Sequence, residues 1–484
     1  MSKLIYEKSA PGRRADNLPH LTPAESAVKL RIPRKYFREQ QAELPEVSEL
    51  DVVRHFTNLS RKNFSVDANM YPLGSCTMKY NPKVCERIAA LDGFASLHPL
   101  LPQLRGGGML TQGALEVLFE TERWLSEIVG MDGFSLQPMA GSHGELTGMM
   151  LVAAYHKDKG NRKTKVIIPD SAHGTNPSSA AIAGYTVVSI PTGPDGGIDL
   201  ARYEAALDDE VAAVMLTCPS TLGLFERDIL KIAELAHKRD ALLYYDGANL
   251  NALLGRCRPG DLGFDVVHVN LHKTFGTPHG GGGPGSGPVG VKAKLVPFLP
   301  TSIVVKRTDG TFALEYDRLK SIGYIASFYG NFAIILRAYA YMLLLGGEGM
   351  RRVSENAVLN ANYIQARLKA RYDLPYNRLC MHECVFSASR QAAKGVHAID
   401  VAKALIERGL HPPTVYFPLV VKEALMIEPT ETESREQMDE LIEMMLEIAD
   451  LADRDPAQFP AMPRNTPVGR LDEVKAAKDM RFKA

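Results

Sequence analysis

The sequence predicts an α/β protein with a large domain on a mostly parallel central sheet and a smaller C-terminal α+β domain. Three observations carry this prediction. Short apolar runs at 165–169, 186–190, 211–217 and 242–245 alternate with helical stretches such as 229–239, and strands separated by helices at this interval form parallel βαβ units. Two apolar runs end in chemically useful groups: 241–245 leads to Asp246, and 266–271 leads to His272 and Lys273. Beyond about Asn331 the alternation stops, and helical stretches at 332–345 and 355–370 precede a strand-like 383–387 and a helix at 398–408.

In chain order, residues 1–60 read as an N-terminal arm, punctuated by proline and charge from Pro11 to Pro33 and helical only at 46–58. The large domain is assigned to 61–330. It opens on a loop of small hydroxyl residues, Asn69 to Lys79; a three-glycine stretch, Gly106 to Gly108, then adds loop flexibility before a helix at 114–128. Gln137-Pro-Met-Ala-Gly141-Ser142-His143-Gly144-Glu145 carries two glycines ahead of a helical pattern, and Ser142 and Glu145 stand at capping-box spacing. Free amides at such a helix start, with the Gly141 backbone and the Ser142 hydroxyl, suit a phosphate dianion.

The strands that follow should gather catalytic loops at their carboxyl ends. One such loop holds His173 and Thr175, and another begins at Thr217 and Cys218. Asp246, followed by Ala248, and Lys273, preceded by His272, should share one sheet edge on consecutive parallel strands. Glycines from Gly276 to Gly285 then let the backbone approach a ligand. In the small domain, 331–450, residues 418–428 read as a core strand pair and 433–451 as an amphipathic helix. Residues 451–484 read as a loosely packed tail.

A lysine amine is protonated and inert unless burial or a cationic neighbour lowers its pKa, and a position beside His272 at the mouth of a buried sheet offers both. Its natural reaction is imine formation with an aldehyde. Pyridoxal 5'-phosphate (PLP) needs such a lysine, a carboxylate that keeps its pyridine nitrogen protonated, and a phosphate cradle. Taken singly, Lys273 is a solvated charge, the cradle a helix start and His173 a structural imidazole. Together, in the order cradle, acid, lysine, they predict a PLP enzyme of aminotransferase-like fold (fold type I), covalently bound at Lys273, with His143 flat on the ring.

Composition narrows the partners. The 484 residues are 45% hydrophobic, with 56 basic and 56 acidic side chains, a balance that argues for a small substrate and against nucleic acid. No C-x-x-C pair joins the six cysteines and no signal peptide precedes them, so reduced thiols in a cytoplasm are expected. Cys380 and Cys384 lack a second ligand pair for zinc. The most apolar segment, 332–345, is interrupted by Arg337 and too short to cross a bilayer, which reads as a buried helix.

Asn270-Leu-His-Lys-Thr-Phe275 with Pro278 to Gly290 closely resembles the PLP-lysine segment of the glycine cleavage system P-protein family, the decarboxylating glycine dehydrogenases. Asp170 to Pro177, Pro72 to Pro82, and Pro412 to Pro418 with Glu428 to Glu433 are similar to the same family, over about residues 10–440. Where Cys218 and Ser220 stand, the family more often has asparagine. The resemblance implies that glycine loses CO2 and that its aminomethyl group passes to the lipoyl arm of H-protein, with Lys273 and His173 moving protons and Thr217 contacting the cofactor. It also implies that the hydroxyl loop lies near the active site, reaching it from a partner chain, and that the arm wraps a neighbour. This chain resembles the lysine-bearing half of a two-part enzyme, so an α2β2 assembly with a lysine-lacking subunit 1 is expected. Two alternatives stay open: another fold type I enzyme, such as a desulfurase or amino-acid decarboxylase, and a non-catalytic scaffold.

Overall fold

The computed structural model describes residues 3–13, 33–40, 42–98, 100–101, 109–279 and 285–480. The expectations for residues 14–32, for Gly106 to Gly108 and for positions 280–284 of the glycine loop lie outside them. The chain divides into two compact units, one of residues 66–464 and one of 1–65 with 465–484.

Seven strands build the central sheet of the larger unit: β1 (Gly133–Ser135), β2 (Lys165–Pro169), β3 (Thr186–Ile190), β4 (Val211–Thr217), β5 (Leu242–Gly247), β6 (Val266–Val269) and β7 (Val289–Val291). Their order is β1-β7-β6-β5-β4-β2-β3. Every pair from β6 across to β3 is parallel, and β7 runs against both its neighbours. Successive strands lie on opposite sides of β2, so the direction of winding reverses there; in open α/β sheets that reversal opens a crevice at the carboxyl ends.

The sheet is covered on both faces, which is why β4, β5 and β6 are mostly apolar and buried almost throughout. Four helices contribute to the cover: α1 (Gln112–Val129), α2 (Gly141–Asp158), α3 (Thr175–Ile182) and α4 (Ile229–Lys238). Strand residues alternate between the faces. Ile167, Val214 and Leu243 pack with Leu115, Leu125 and Ile232, whereas Val166, Met215 and Tyr244 pack with Met149 and Val152. The helix α1 stops at Gly130, whose φ of 72° is the left-handed turn that glycine adopts without a Cβ penalty.

A hairpin, β8 (Ile303–Lys306) with β9 (Phe312–Glu315), precedes α5 (Phe332–Leu368). The expected helices at 332–345 and 355–370 are halves of this one element, bent at Gly346, where φ is 59° and ψ −177°. By length and composition α5 could cross a membrane, but Ile334, Ile335, Leu336 and Ala338 are buried against the protein core. A second sheet follows, of β10 (Cys384–Ser387), β11 (Thr414–Val415) and β12 (Ala424–Ile427), antiparallel in the order β10-β12-β11. It packs with α6 (Ala398–Glu407) and α7 (Arg435–Arg454), and Ser434 and Gln437 close a capping box at the start of α7.

Several boundaries correct the expectations. Residues 418–428 hold one strand, not two, because 418–423 turn before β12 begins. The expected loose tail begins too early: α7 runs to Arg454, and Phe459 and Met462 are buried in the core of the small sheet. In the smaller unit the helix is Glu49–Ser60, displaced from 46–58 because Ser48 caps it by accepting from the Asp51 N–H at 3.2 Å.

Candidate active site

Parallel pairing sets Thr217 beside Asp246 and Asp246 beside His268, so the ends of β4, β5 and β6 carry these groups in one row. All three strands stop within a few residues of this line. Lys273 lies just past β6, on a turn whose Lys273 N–H bonds back to Asn270 O at 3.2 Å. The strand ends at Val269, two residues short of the expected Leu271.

Asp246 is buried, and its Oδ1 accepts from the Ala248 N–H at 3.0 Å. Beside it His268 is fully buried, with Nδ1 2.7 Å from Tyr244 Oη and Nε2 3.3 Å from Asp246 Oδ1 without a well-aligned bond. Burial lowers the His268 pKa against the opposing pull of Asp246. Thr217 Oγ1, Asn270 Oδ1 and Ser286 Oγ are buried with no hydrogen-bond partner among the described residues. Unpaired buried polar atoms are costly and call for an explanation such as a bound ligand.

The expected cradle is a helix start, with its capping corrected. The cap position is Ala140, extended at φ −158° and ψ 164°, and no side chain caps the helix. Ser142 therefore sits inside the first turn, and Glu145 is turned inward to Thr175 and Ser179 instead of back to Ser142. The first turn's amides precede the helical ladder, which begins with Gly144 N–H to Ala140 O at 2.9 Å. Gly141 faces the Asn270 amide so closely that a Cβ would stand 2.7 Å from Asn270 Nδ2. His143 is half-buried, its Nδ1 accepting from the Met139 N–H at 3.3 Å, and burial lowers its pKa.

His173 stands exposed after β2, within the fields of Asp246 and Lys273. His272 does not serve as a cationic neighbour to Lys273. Burial, then His279 and Lys273, push it down to about 3, and its Nδ1 accepts from the Ser286 N–H at 3.2 Å.

The hydroxyl loop of Asn69 to Lys79 was expected near the active site, but sequence reasoning did not single out the atoms that hold Lys273. Its Nζ donates to Ser75 O at 2.7 Å and Asn249 Oδ1 at 3.2 Å. The Ser75 loop belongs to this same chain and is clamped by the small domain. Ser75 N–H donates to Glu383 Oε2 at 2.7 Å, and Thr77 donates to Glu428 through its N–H at 2.9 Å and its hydroxyl at 2.6 Å. Burial pushes Glu428 up to about 7, and burial with the Glu428 charge raises Glu383 further. In the sequence the motifs from Pro72 to Pro82 and from Glu428 to Glu433 signalled this.

Comparison with known proteins places this geometry. Residues 21–316, more than half of the chain, match the family model described as glycine cleavage system P-protein, and 353–458 match the glycine dehydrogenase C-terminal domain. The chain is 54% identical over 479 residues to the probable glycine dehydrogenase (decarboxylating) subunit 2 of Caldanaerobacter subterraneus subsp. tengcongensis, covering 99% of this chain and 98% of the relative. It is 53% identical over 483 residues to the protein of that name in Chloroherpeton thalassium, covering 99% and 97%. The fold is similar to the inhibitor-bound crystal structure of glycine decarboxylase (P-protein) of the glycine cleavage system, with TM-score 0.73 and 23% identity over 90% of this chain and 100% of that one. Glutamate decarboxylase of Lactobacillus brevis shares the fold at TM-score 0.65 and 12% identity, over 89% and 97%. A sheet that ends in Thr217, Asp246 and Lys273 thus occurs in a sequence matched to its relatives from end to end, and the chain belongs to the glycine cleavage system P-protein family.

Proposed function

We infer that this chain is the lysine-bearing subunit of a PLP-dependent glycine decarboxylase. Glycine releases CO2, and its aminomethyl group goes to one sulfur of a lipoyl disulfide on H-protein while the other sulfur becomes a thiol. The observation that carries the reading is the row of Thr217, Asp246 and His268 across three parallel strand ends, with Lys273 one turn beyond. A scaffold has no physical need for that row.

The residues present fit the cofactor. The amides of the first turn of α2, which precede the helical ladder, match a phosphate together with the Ser142 hydroxyl, and Thr217 Oγ1 is a buried hydroxyl with no partner among the described residues. Bound PLP supplies an aldehyde that condenses with an amine and a protonated pyridine that draws electrons from the bond being broken. Asp246 holds the proton on the pyridine nitrogen, and His143 covers the ring. Lys273 supplies the covalent attachment. Ser75 O and Asn249 Oδ1, which accept from Lys273 Nζ here, would hold that amine whenever it is not attached to the cofactor. His173 exchanges protons at the open side of the site.

The relatives' designation as subunit 2 supports a two-subunit enzyme, for which we assign an α2β2 assembly with subunit 1. Six unpaired cysteines suit the reducing cytoplasm. The test is the visible absorption of the purified chain with its partner subunit, before and after borohydride, beside Lys273→Ala. A PLP band fixed by reduction and lost in the variant supports the assignment, and CO2 exchange from glycine that depends on lipoylated carrier separates this reaction from other decarboxylations. Absence of any band with added PLP and partner overturns the reading.

A further inference from the structure

Glu145 has no part in the mechanism above, yet it is a carboxyl group buried behind the Asp246 row. It lies on the first turns of α2, where its Oε1 is 2.8 Å from Thr175 Oγ1 and its Oε2 accepts from the Ser179 hydroxyl at 3.4 Å. The same Thr175 Oγ1 is 2.8 Å from His173 Nδ1, and the Thr175 N–H donates to that nitrogen at 3.3 Å. Glu145, Thr175 and His173 thus form one chain of contacts from the protein interior to the exposed imidazole. Nδ1 is committed to Thr175, which leaves Nε2 as the nitrogen available to whatever occupies the site.

A hydroxyl has one proton to give, so the direction of the chain is decided at its buried end. A protonated Glu145 donates to Thr175 Oγ1; the Thr175 hydroxyl then donates to His173 Nδ1, and the ring proton sits on Nε2. An ionised Glu145 accepts from Thr175 instead, so Oγ1 accepts from Nδ1–H and Nε2 becomes a bare acceptor. The Thr175 N–H already points at Nδ1 and favours the first arrangement.

We propose that Glu145 is a positioning residue that, through the Thr175 hydroxyl, decides which ring nitrogen of His173 carries the proton and so whether Nε2 donates or accepts toward substrate. Its importance for turnover rests on the proposed function; the tautomer itself does not. The charged and titratable groups facing this chain are Asp246 and Tyr244 from β5, His268 from β6 and Lys273 beyond it. Burial and then the Asp246 charge push Glu145 up to about 8, with Lys273 pulling the other way. Burial lowers His173 against the opposing pull of Asp246. At neutral pH the pair is therefore a protonated Glu145 and a neutral His173. As pH rises through about 8, Glu145 gives its proton to water and the His173 proton moves from Nε2 to Nδ1 by exchange with solvent.

The test is ring-nitrogen NMR of the full-length, histidine-labelled chain, with His173 assigned by its loss in His173→Gln. The expected wild-type result is the Nε2–H form at pH 7 and a shift toward Nδ1–H by about pH 9, as one group titrating between them requires. Glu145→Gln keeps a permanent donor, so it should hold Nε2–H at both pH values. Thr175→Val should abolish the pH-linked shift, and Thr175→Ser, which keeps the hydroxyl, should restore it. An unchanged wild-type tautomer between the two pH values, or a persisting shift in Glu145→Gln or Thr175→Val, overturns the proposal. In the reconstituted enzyme, glycine exchange should fall about tenfold from pH 7 to pH 9 in wild type and stay within about twofold in Glu145→Gln, the ratio of protonated forms of a group titrating near 8. If exchange is absent from wild type while the tautomer shifts as described, the functional reading fails and the relay stands.

Discussion

Thr217 is the residue on which the proposed cofactor site can be tested most directly. Its hydroxyl is buried and unpaired at the end of β4, and such a group carries a desolvation cost of about 1–3 kcal/mol until something bonds to it. Thr217→Val should therefore leave the cofactor-free chain equally or more stable, while PLP affinity falls about tenfold for a lost bond of about 1.4 kcal/mol. Thermal melts and PLP titration check the two halves, and a variant that loses stability without losing affinity would make Thr217 structural. Glu145 was harder to read. Its spacing from Ser142 matches a capping box, and that local pattern conceals a carboxyl whose partners, Thr175 and Ser179, come from another helix.

At the scale of elements, the proposed cradle depends on how closely the segment leading into β7 approaches the start of α2. Gly287 N–H donates to Pro138 O at 2.9 Å, and a Cβ on Gly287 would stand 2.1 Å from Ala140 O and 3.1 Å from Gly141 N. These are backbone atoms and cannot swing aside. Gly287→Ala should destabilise the chain by about 1–3 kcal/mol, as overpacking does, and weaken PLP binding by displacing the amides of the first turn. Gly347→Ala is the contrast: a Cβ there meets nothing within 4 Å, on the helical α5. Replacing that glycine should stabilise by about 0.5–1 kcal/mol through lower chain entropy. Urea midpoints of both variants, with PLP titration of the first, decide the matter; an unaffected Gly287→Ala would mean that the cradle yields. The Ser75 loop is a second such joint. It is held by Glu383 and Glu428 of the small domain while its carbonyl holds Lys273, so that domain bears directly on the lysine.

Across the whole molecule, buried ionisable groups make stability depend on pH. Burial pushes Glu122 and Glu145 up to about 8 and Glu428 and Glu433 up to about 7, from an ordinary 4.5. Between 4.5 and those values only the folded chain keeps the protons, so stability falls as pH rises. Burial also pushes His272 and His382 down to about 3 and His279 to about 4, from 6.5. Between those values and 6.5 it is the unfolded chain that binds the protons, so the histidine contribution rises with pH, is still rising at 6.5 where the unfolded rings are half titrated, and levels off about one unit higher. Above about 7.5, where the unfolded histidines have also lost their protons, only the carboxyl contribution still changes, so the denaturation midpoint should drop from about pH 7.5 to about 8.5. A midpoint that rises over this range would show that the carboxyl groups are ionised in the folded chain.

The sequence by itself determined the α/β class, the approximate positions of β2 to β6 and the order of cradle, acid and lysine. Hydrophobic period and chain order are local properties, and the parallel connection of successive strands turns that order into one sheet edge. It also determined the family, through motifs as long as Asn270 to Phe275. Only the tertiary structure decided what surrounds those groups. Ser75, Asn249, Glu383 and Glu428 meet around Lys273 although they come from four separate stretches of chain. A capping box and an inward-facing glutamate share one local pattern; what separated them at Glu145 was the packing of α3 against α2, an interaction between elements that no spacing along the chain encodes.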